Sequence, residues 1–395
     1  MGATGGELLA PAGDFEKLKV AIAYGADAVY LSGTSFGLRA KAKNFGSDEL
    51  AEAISYAHNN EVKVYVTANI FAHNNDIDKM AGYFETLAAM GADAFIISDP
   101  GVLMLAKKEA PNVEMHISTQ ANTTNYASAG FWYDMGASRV ILARELSIAE
   151  IAEIRAKCPK ELKLEAFVHG AMCMSYSGRC MLSRYMTDRD ANLGACAHPC
   201  RYSYRLWAED VTRPGHFMPV EENENGTDIF GAEDLCMIEH LPELEAAGIE
   251  SFKIEGRMKT VFYVGLATKT YRQAIDGLPY NADMLKMASH RPFSTGFYFG
   301  KPGEFTDSAY KRTHDFVGIV QGYENGCAVI QQRNVFEEGD VLTFVKPKGG
   351  EFVQKVENMK DENGIKIDRA PHAREKVIMP VNEPVEPLTL ICRSI

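Results

Sequence analysis

The stretch GADAVYLS, residues 25–32, indicates how this chain folds. It follows an amphipathic segment, Asp14 to Tyr24, in which apolar side chains recur at helical spacing. A glycine at this point lets the helix end in the left-handed conformation, and the apolar run after it is typical of a strand buried on both faces. The stretch therefore predicts a helix followed by a parallel strand.

The same pattern returns three times, as GADAFIIS at 91–98, GASRVILA at 136–143 and GIESFKIE at 248–255. Four further apolar runs bring the strand candidates to eight: Leu8 to Ala10, Lys63 to Thr67, Glu114 to Ile117 and Leu164 to Phe167. Eight βα units in roughly 250 residues match an α/β fold of the TIM-type (β/α)8 barrel class, and right-handed crossovers favour closure. An open doubly wound sheet is the alternative, although no G-x-G-x-x-G fingerprint follows the first strand.

Composition limits the classes of function. The 395 residues carry a net charge of −12, which argues against a protein that grips nucleic acid over its whole surface. One local stretch, 179–205, holds five arginines and two aspartates, and a phosphate-bearing partner is plausible there. The chain start lacks signal-peptide features, and no run is long and apolar enough to span a membrane, so we expect a cytoplasmic protein with reduced thiols.

The spacing of apolar residues changes along the chain and divides it into three regions. Residues 1–276 are predicted to form the barrel, with a cysteine-rich insertion at 170–236 after the seventh strand. Residues 277–310 are dense in glycine and proline and are predicted to be a linker. Residues 311–395 alternate with a period of two and predict a small all-β barrel. Its predicted strands are FVGIV, CAVIQQ, VLTFV, FVQKV, GIKI and LTLIC.

Five of the eight cysteines gather in or near the insertion: Cys173, Cys180, Cys196, Cys200 and Cys236. The first four are separated by six, fifteen and three residues, which does not fit the paired Cys-x-x-Cys knuckles of a zinc ribbon. Uneven spacing fits a metal held where several loops meet, and thiolates suit an iron–sulfur cluster or zinc. The alternative is that some of these thiols are small buried hydrophobes. Cys236, in GAEDLCMI, is expected at the start of a helix or loop leading to strand eight.

Polar residues follow the predicted strands where a barrel places its active face. The candidate substrate-binding residues are Arg39, Asn69, Gln120, Asn122, Arg144, Glu145, Glu255 and Arg257. Each has an alternative role in capping a helix or in a structural ion pair. The seventh strand carries Glu165 and leads to His169, and either could move a proton.

A longer motif surrounds the first cysteines. The pattern Glu165-Ala-Phe-Val-His-Gly-Ala-Met-Cys173, continued by Ser177-Gly-Arg-Cys180 and Leu182-Ser183, resembles the signature of the collagenase-like peptidases of unassigned mechanism. The better understood members of that family are hydroxylation proteins acting on tRNA, ribosomal RNA and ubiquinone precursors. The motif HRPFSTGFYFG at 290–300 and the appended β domain resemble the members that act on tRNA uridine.

The resemblance implies an oxygen-independent hydroxylation that converts the wobble uridine of tRNA to 5-hydroxyuridine, with prephenate as co-substrate. It implies a four-iron four-sulfur (4Fe-4S) cluster on Cys173, Cys180, Cys196 and Cys236, with Cys200 as an alternative fourth ligand. The implied partners are the anticodon loop of tRNA and a small dicarboxylate, which Arg39, Arg144 and Arg257 could grip. A paralogous companion subunit is left open.

Two other functions stay open at this point. A peptidase is suggested by the family name, although the ten histidines include no H-E-x-x-H pair. The other alternative is a scaffold whose fold zinc stabilises and which only binds partners.

Overall fold

The computed structural model describes residues 5–38, 44–173, 180–189, 191, 194–202, 206–209, 212, 214–215, 217–220, 233–300 and 310–395. Arg39, one of the predicted substrate-binding residues, lies outside these ranges, as do Ser177 to Arg179 of the motif.

The first part of the chain alternates strands and helices, as the repeated glycine pattern predicts. In chain order the elements are β1 (Glu7–Pro11), α1 (Phe15–Ala23), β2 (Ala28–Leu31), α2 (Ser47–His58), β3 (Lys63–Ala68), α3 (Asn74–Ala89), β4 (Ala94–Ile97), α4 (Pro100–Glu109), β5 (Glu114–Ile117), α5 (Tyr126–Asp134), β6 (Arg139–Ile141), α6 (Ile148–Lys157) and β7 (Lys163–Ala171). Each strand pairs in parallel with the next along the chain.

The insertion after β7 carries its own short elements. They are α7 (Leu182–Thr187), a 3-10 turn at Pro199–Arg201, and the strands β8 (Leu206–Glu209), β9 (Phe217–Val220) and β10 (Asp234–Cys236). The expectation that Cys236 begins a helix or loop is wrong, because β10 pairs antiparallel with the end of β7 and sets Cys236 opposite His169. This pairing forms because β7 runs on to Ala171, beyond the predicted end at Phe167.

The barrel closes after α8 (Leu241–Ala246), when β11 (Ser251–Ile254) pairs in parallel with both β1 and β7. Phe252 is opposite Leu8 on one side and Ala166 on the other. All eight predicted barrel strands are therefore confirmed, and the closed topology replaces the doubly wound alternative.

The glycines of the repeated pattern have the expected backbone conformation. Gly25, Gly91, Gly136 and Gly248 have φ angles of 101°, 91°, 93° and 99°, in the left-handed region that favours glycine. At the other end of α1, the Asp14 carboxylate accepts a hydrogen bond from the Lys17 backbone N–H at 3.0 Å and caps the helix. No helix in the described part of the chain is long and apolar enough to cross a bilayer.

The segment predicted to be a linker packs against the barrel where the structure describes it. After α9 (Val261–Ile275) come α10 (Met284–Met287) and β12 (Phe293–Ser294), which pairs in parallel with β10. The Tyr298 hydroxyl donates to the Phe167 carbonyl oxygen at 2.7 Å, and His290 forms a bridge with Lys311. Residues 277–300 thus contact both the insertion, through β10, and the barrel strand β7.

The C-terminal region forms an antiparallel half-barrel, in agreement with the predicted all-β fold. Its strands are β13 (His314–Glu324), β14 (Cys327–Gln332), β15 (Phe336–Glu337), β16 (Val341–Val345), β17 (Glu351–Lys355), β18 (Arg369–Ala370), β19 (Lys376–Pro380) and β20 (Leu390–Ser394). Six of them make one sheet in the order β17-β16-β20-β13-β14-β19. The prediction of a strand at GIKI is wrong, because Gly364 and Ile365 close a turn onto Asp361 and Ile365 is exposed. Strand β19 was not predicted.

Two anchors hold the half-barrel to the helices that flank β1. The Tyr24 hydroxyl donates to the Val345 carbonyl oxygen at 2.7 Å. The Lys269 ammonium, on α9, donates to the carbonyl oxygens of Lys346 and Gly349, both at 2.6 Å. The contact between the two regions is therefore polar as well as apolar.

Candidate active site

A cavity of about 420 Å³ opens at the carboxyl ends of the barrel strands. We call it the outer cavity. Thr119 and Gln120 follow β5, Arg144 and Glu145 follow β6, and Glu255 follows β11. Side chains from several strand ends therefore converge, as expected for the active face of a (β/α)8 barrel. The volume lies in the range of small-molecule binding pockets.

Four cysteines line this cavity: Cys173, Cys180, Cys196 and Cys200. Cys173 comes two residues after the end of β7, and the other three lie further along the insertion. All eight cysteines lie in the described ranges, and none of them forms a disulfide. Four of the five cysteines that gather in the sequence thus line one cavity, together with polar residues from the strand ends.

Short hydrogen bonds fix the loop that bears two of these thiols. The Ser183 hydroxyl, on α7, accepts from the Ala197 backbone N–H at 2.9 Å. The His198 backbone N–H points at Cys196 Sγ, 3.4 Å away, and His198 has a φ of 58°. His198 also lines the outer cavity, and its position between two cysteines in CAHPC was an available signal that the sequence prediction missed.

The thiols surround the cavity without converging on a point. Among the described residues, no three His, Cys, Asp or Glu side chains are close enough to hold one metal ion. Cysteine thiolates are the usual ligands of iron–sulfur clusters, so the chemistry of these four side chains suits one, and the cluster itself stays a prediction.

Cys236 lies in a different environment from these four. It ends β10 opposite His169, and the Tyr271 hydroxyl is 3.8 Å from its sulfur. Burial raises the pKa of the Cys236 thiol. The structure does not include Cys236 in the described lining of the outer cavity, whereas Cys200 is part of it. The assignment of Cys236 as a metal ligand stays a prediction.

Glu165 is fully buried inside the barrel. Its carboxylate accepts hydrogen bonds from Lys253 Nζ at 2.8 Å and from Arg139 Nη1 at 2.9 Å. Burial alone would raise the pKa of Glu165, but the charges of Lys253 and Arg139 hold it below its usual value. A carboxylate held between two cations is a counter-ion, and among the described residues it lines neither cavity of this face. Its predicted catalytic role stays a prediction that this geometry does not favour.

His169 is packed among aromatic rings. Its ring stacks on Tyr263 at 5.6 Å between centroids, and its Nδ1 lies 3.4 Å from the Tyr271 hydroxyl. Burial, reinforced by the nearby charges of Lys259 and His290, lowers the pKa of His169 to about 3. The imidazole is therefore neutral at physiological pH. His169 is not among the described residues that line the outer cavity, but its stacking partner Tyr263 is.

A second, smaller cavity of about 60 Å³ lies inside the barrel mouth and shares Thr119, Gln120, Arg144 and Glu255 with the outer one. We call it the inner cavity. Arg257 and Lys253 also line it, so it is rich in positive charge. Because they share these residues, the two cavities adjoin and form a path of mixed polar and apolar lining from the thiols to the barrel interior.

Most of the predicted substrate-binding residues lie along this path. Asn69 lines the inner cavity and donates from Nδ2 to the Ser118 hydroxyl at 3.1 Å. Arg257 donates to the Thr67 hydroxyl at 3.3 Å. Arg144 donates to the Ala171 carbonyl oxygen at 2.8 Å. Among the predicted residues that the structure describes, Asn122 is the exception, because it caps the 3-10 turn after β5 with a φ of 55° and is in neither lining.

Lys259 is a cavity residue that the sequence pattern did not single out. Its ammonium lies 3.2 Å from the Ser289 carbonyl oxygen and over the rings of Tyr263 and Tyr310, at 5.3 and 4.9 Å. It lines the outer cavity. Its place two residues after Arg257, in the loop that follows β11, was the available signal.

Comparison with known proteins identifies the family. A model described as Peptidase family U32 matches residues 13–307, and one described as Peptidase family U32 C-terminal domain matches residues 312–392. The chain therefore belongs to peptidase family U32, and the resemblance based on the motif around Cys173 is confirmed.

Several curated relatives match over most of the chain. The tRNA hydroxylation protein P1 of Bacillus subtilis is 39% identical over 401 residues, which cover 98% of this chain and 94% of that protein. The tRNA hydroxylation protein P of Escherichia coli is 35% identical over 431 residues, covering 96% and 94%. An uncharacterized protease of Methanocaldococcus jannaschii is 42% identical over 352 residues, covering 86% and 81%.

Proposed function

We propose that this protein hydroxylates tRNA, converting the wobble uridine to 5-hydroxyuridine without molecular oxygen. The observation that carries the proposal is the outer cavity, where four thiols and the polar ends of three barrel strands line one space. Two relatives that match almost end to end are named tRNA hydroxylation proteins. We transfer the reaction class, hydroxylation of tRNA, from the names of these relatives, and we propose that the reaction takes place in the outer cavity.

The size of the outer cavity suits a nucleobase that has left its stack. An enzyme that modifies a base atom takes the base out of the stack and holds it in a pocket, where its edge is read by hydrogen bonds. Thr119 and Gln120 offer a hydroxyl and an amide to the cavity. These side chains would orient the uracil ring in the proposed reaction.

The cysteines would hold a 4Fe-4S cluster. Cys173, Cys180 and Cys196 are three of its proposed ligands, the family motif adds Cys236, and the cavity lining offers Cys200. Such a cluster, when bound, supplies one-electron chemistry. Replacing Cys200 and Cys236 separately by alanine distinguishes the two, because only the loss of a ligand lowers the iron content. Zinc at the same thiols is the alternative, and metal analysis separates it from iron.

The co-substrate is proposed to be prephenate, a small dicarboxylate. Exchanging a ring hydrogen of uracil for a hydroxyl group removes a pair of electrons from the base, so the reaction needs both a source of the hydroxyl oxygen and an acceptor for two electrons when molecular oxygen takes no part. Arg144 and Lys259 present cationic groups to the outer cavity, and Arg257 does so in the inner one. Guanidinium and ammonium groups of this kind bind carboxylates.

The decisive experiment is nucleoside analysis of tRNA by mass spectrometry. A strain that lacks the gene is complemented with the wild type, with Cys173→Ser or with Cys327→Ser. Cys327 is a matched control, because it lies on β14 of the half-barrel. We expect 5-hydroxyuridine with the wild type and Cys327→Ser and its loss with Cys173→Ser. Unchanged 5-hydroxyuridine in the deletion strain would contradict the proposal.

A peptidase is the second candidate, favoured by the name of the archaeal relative. Incubation of the purified protein with gelatin and casein tests it. Cleavage that is lost in Cys173→Ser, with unchanged tRNA in the deletion strain, would establish the peptidase instead.

A further inference from the structure

Large apolar side chains are exposed on the part of the insertion that borders the outer cavity. Tyr185 is 90% exposed, and Met181 is 61% exposed. Met186 and Tyr202 are each 45% exposed. We call these four residues the insertion face. Isolated exposed apolar residues are ordinary, but a group of large ones beside a cavity marks a binding surface.

Local structure places the insertion face at the cavity edge. Cys180 and Leu182 line the outer cavity on either side of Met181. The Tyr185 backbone N–H donates to the Met181 carbonyl oxygen at 2.9 Å, so these two side chains lie one helical turn apart on the same side. Helix α7 packs against the 3-10 turn Pro199–Arg201, which leads directly to Tyr202.

The sequence around these apolar groups is rich in positive charge. Residues 179–205 contain five arginines and two aspartates, in a chain whose net charge is −12. Arg184, beside Tyr185, is half exposed, and its Nε lies 3.3 Å from the Asp188 carboxylate, which is itself exposed. A solvent-exposed pair of this kind contributes little and leaves the guanidinium able to bind phosphate.

We propose that the insertion face is a stacking platform for single-stranded RNA, with Tyr185 stacked on a nucleobase next to the one that enters the outer cavity. This inference rests on the proposed function and names the residue that holds the RNA. Proteins bind unpaired bases by stacking them on exposed aromatic rings beside arginines. A duplex offers no free base faces, so the platform selects a loop.

The test compares Tyr185→Ala, Tyr185→Phe and Phe131→Ala. Phe131 is a matched control, because it is a half-exposed aromatic residue on α5. The probe is a fluorescent RNA hairpin with the sequence of an anticodon stem and loop, and a blunt duplex of the same stem is the second probe. Binding is measured by anisotropy, and circular dichroism confirms that each variant is folded.

We expect Tyr185→Ala to bind the hairpin about 5- to 150-fold more weakly than the wild type, the range that stacking of one base contributes. Tyr185→Phe keeps the ring and should bind like the wild type, as should Phe131→Ala. Duplex binding should not change in any variant. Unchanged hairpin binding by Tyr185→Ala, or an equal loss for hairpin and duplex, would overturn the proposal.

A second copy of this chain is the competing occupant of the insertion face. Sedimentation of the wild type and of Tyr185→Ala tests it, and a dimer that dissociates in the variant would overturn the RNA platform. The tRNA nucleoside analysis judges the proposed function separately. If the wild type makes 5-hydroxyuridine while Tyr185→Ala binds the hairpin normally, the platform fails and the proposed function stands.

Discussion

Replacing Glu165 by glutamine tests whether this buried carboxylate is a counter-ion or a proton carrier. In the folded barrel it accepts hydrogen bonds from Lys253 at 2.8 Å and from Arg139 at 2.9 Å. Glutamine keeps the shape of the side chain and removes its charge. Lys253 then loses its carboxylate partner inside the barrel, whereas Arg139 keeps Glu7.

The expected cost follows from the burial of the pair. Removing one partner of a buried ion pair costs about 3–5 kcal/mol, because the remaining charge is left uncompensated. Since Arg139 retains one carboxylate, we expect a loss near the lower end, about 3 kcal/mol. The matched control is Glu153→Gln, which breaks the exposed pair with Lys157 on α6 and should cost about 0.3–0.5 kcal/mol.

Urea denaturation followed by circular dichroism measures both variants. A chain of this size with two folded regions need not unfold in one step, so the midpoint of the barrel transition is compared among proteins. Glu165→Gln should unfold at lower urea than Glu153→Gln. A wild-type midpoint combined with lost 5-hydroxyuridine formation would refute the counter-ion assignment and establish Glu165 as a catalytic residue.

Three further predictions follow from the charged groups. Burial alone would raise the pKa of Glu7, but the hydrogen bond and charge of Arg139 hold that pKa at about 2 instead of 4.5. The Glu7 carboxylate therefore stabilises the fold above pH 4.5, and this stabilisation is lost as the pH falls to about 2. Glu7→Gln should weaken the fold at neutral pH and flatten its acid unfolding curve over that window, as followed by circular dichroism. Lys269→Met removes donors to the Lys346 and Gly349 carbonyl oxygens and should lower the free energy of unfolding of the half-barrel by about 1.5–3 kcal/mol, measured from its denaturation midpoint. Lys259→Met should weaken binding of prephenate roughly tenfold or more in calorimetry, because Lys259 lines the outer cavity. Circular dichroism checks that the variant is folded, because Lys259 Nζ also lies 3.8 Å from the buried carboxylate of Asp234.

The barrel could be predicted because its strands carry their own signals. Each repeated glycine ends a helix, and the apolar run after Gly25 or Gly91 has no alternative to a strand buried on both faces. The prediction of a strand at GIKI was wrong for the opposite reason. Its alternating apolar and polar residues follow a turn that is closed at Gly364. Local pattern is reliable where burial on both faces enforces it.

The thiol grouping could be predicted only in outline. Cysteine spacing indicates that loops must bring the thiols together, but spacing does not say which four share a cavity. One determinant is the extension of β7 and its pairing with β10, which sets Cys236 beside Tyr271. The other is the hydrogen bond between the Ala197 backbone N–H and the Ser183 hydroxyl, which holds the Cys196 loop at the cavity. These are tertiary contacts that no local pattern records.

The iron and sulfide content of anaerobically purified protein tests most directly whether the thiols at the barrel mouth hold a cluster. We expect iron and acid-labile sulfide in equal amounts, with a broad visible absorption band, in the wild type and in Cys327→Ser, and their loss in Cys173→Ser. Protein that contains zinc or no metal, or a Cys173→Ser variant that keeps its full iron content, would contradict this expectation.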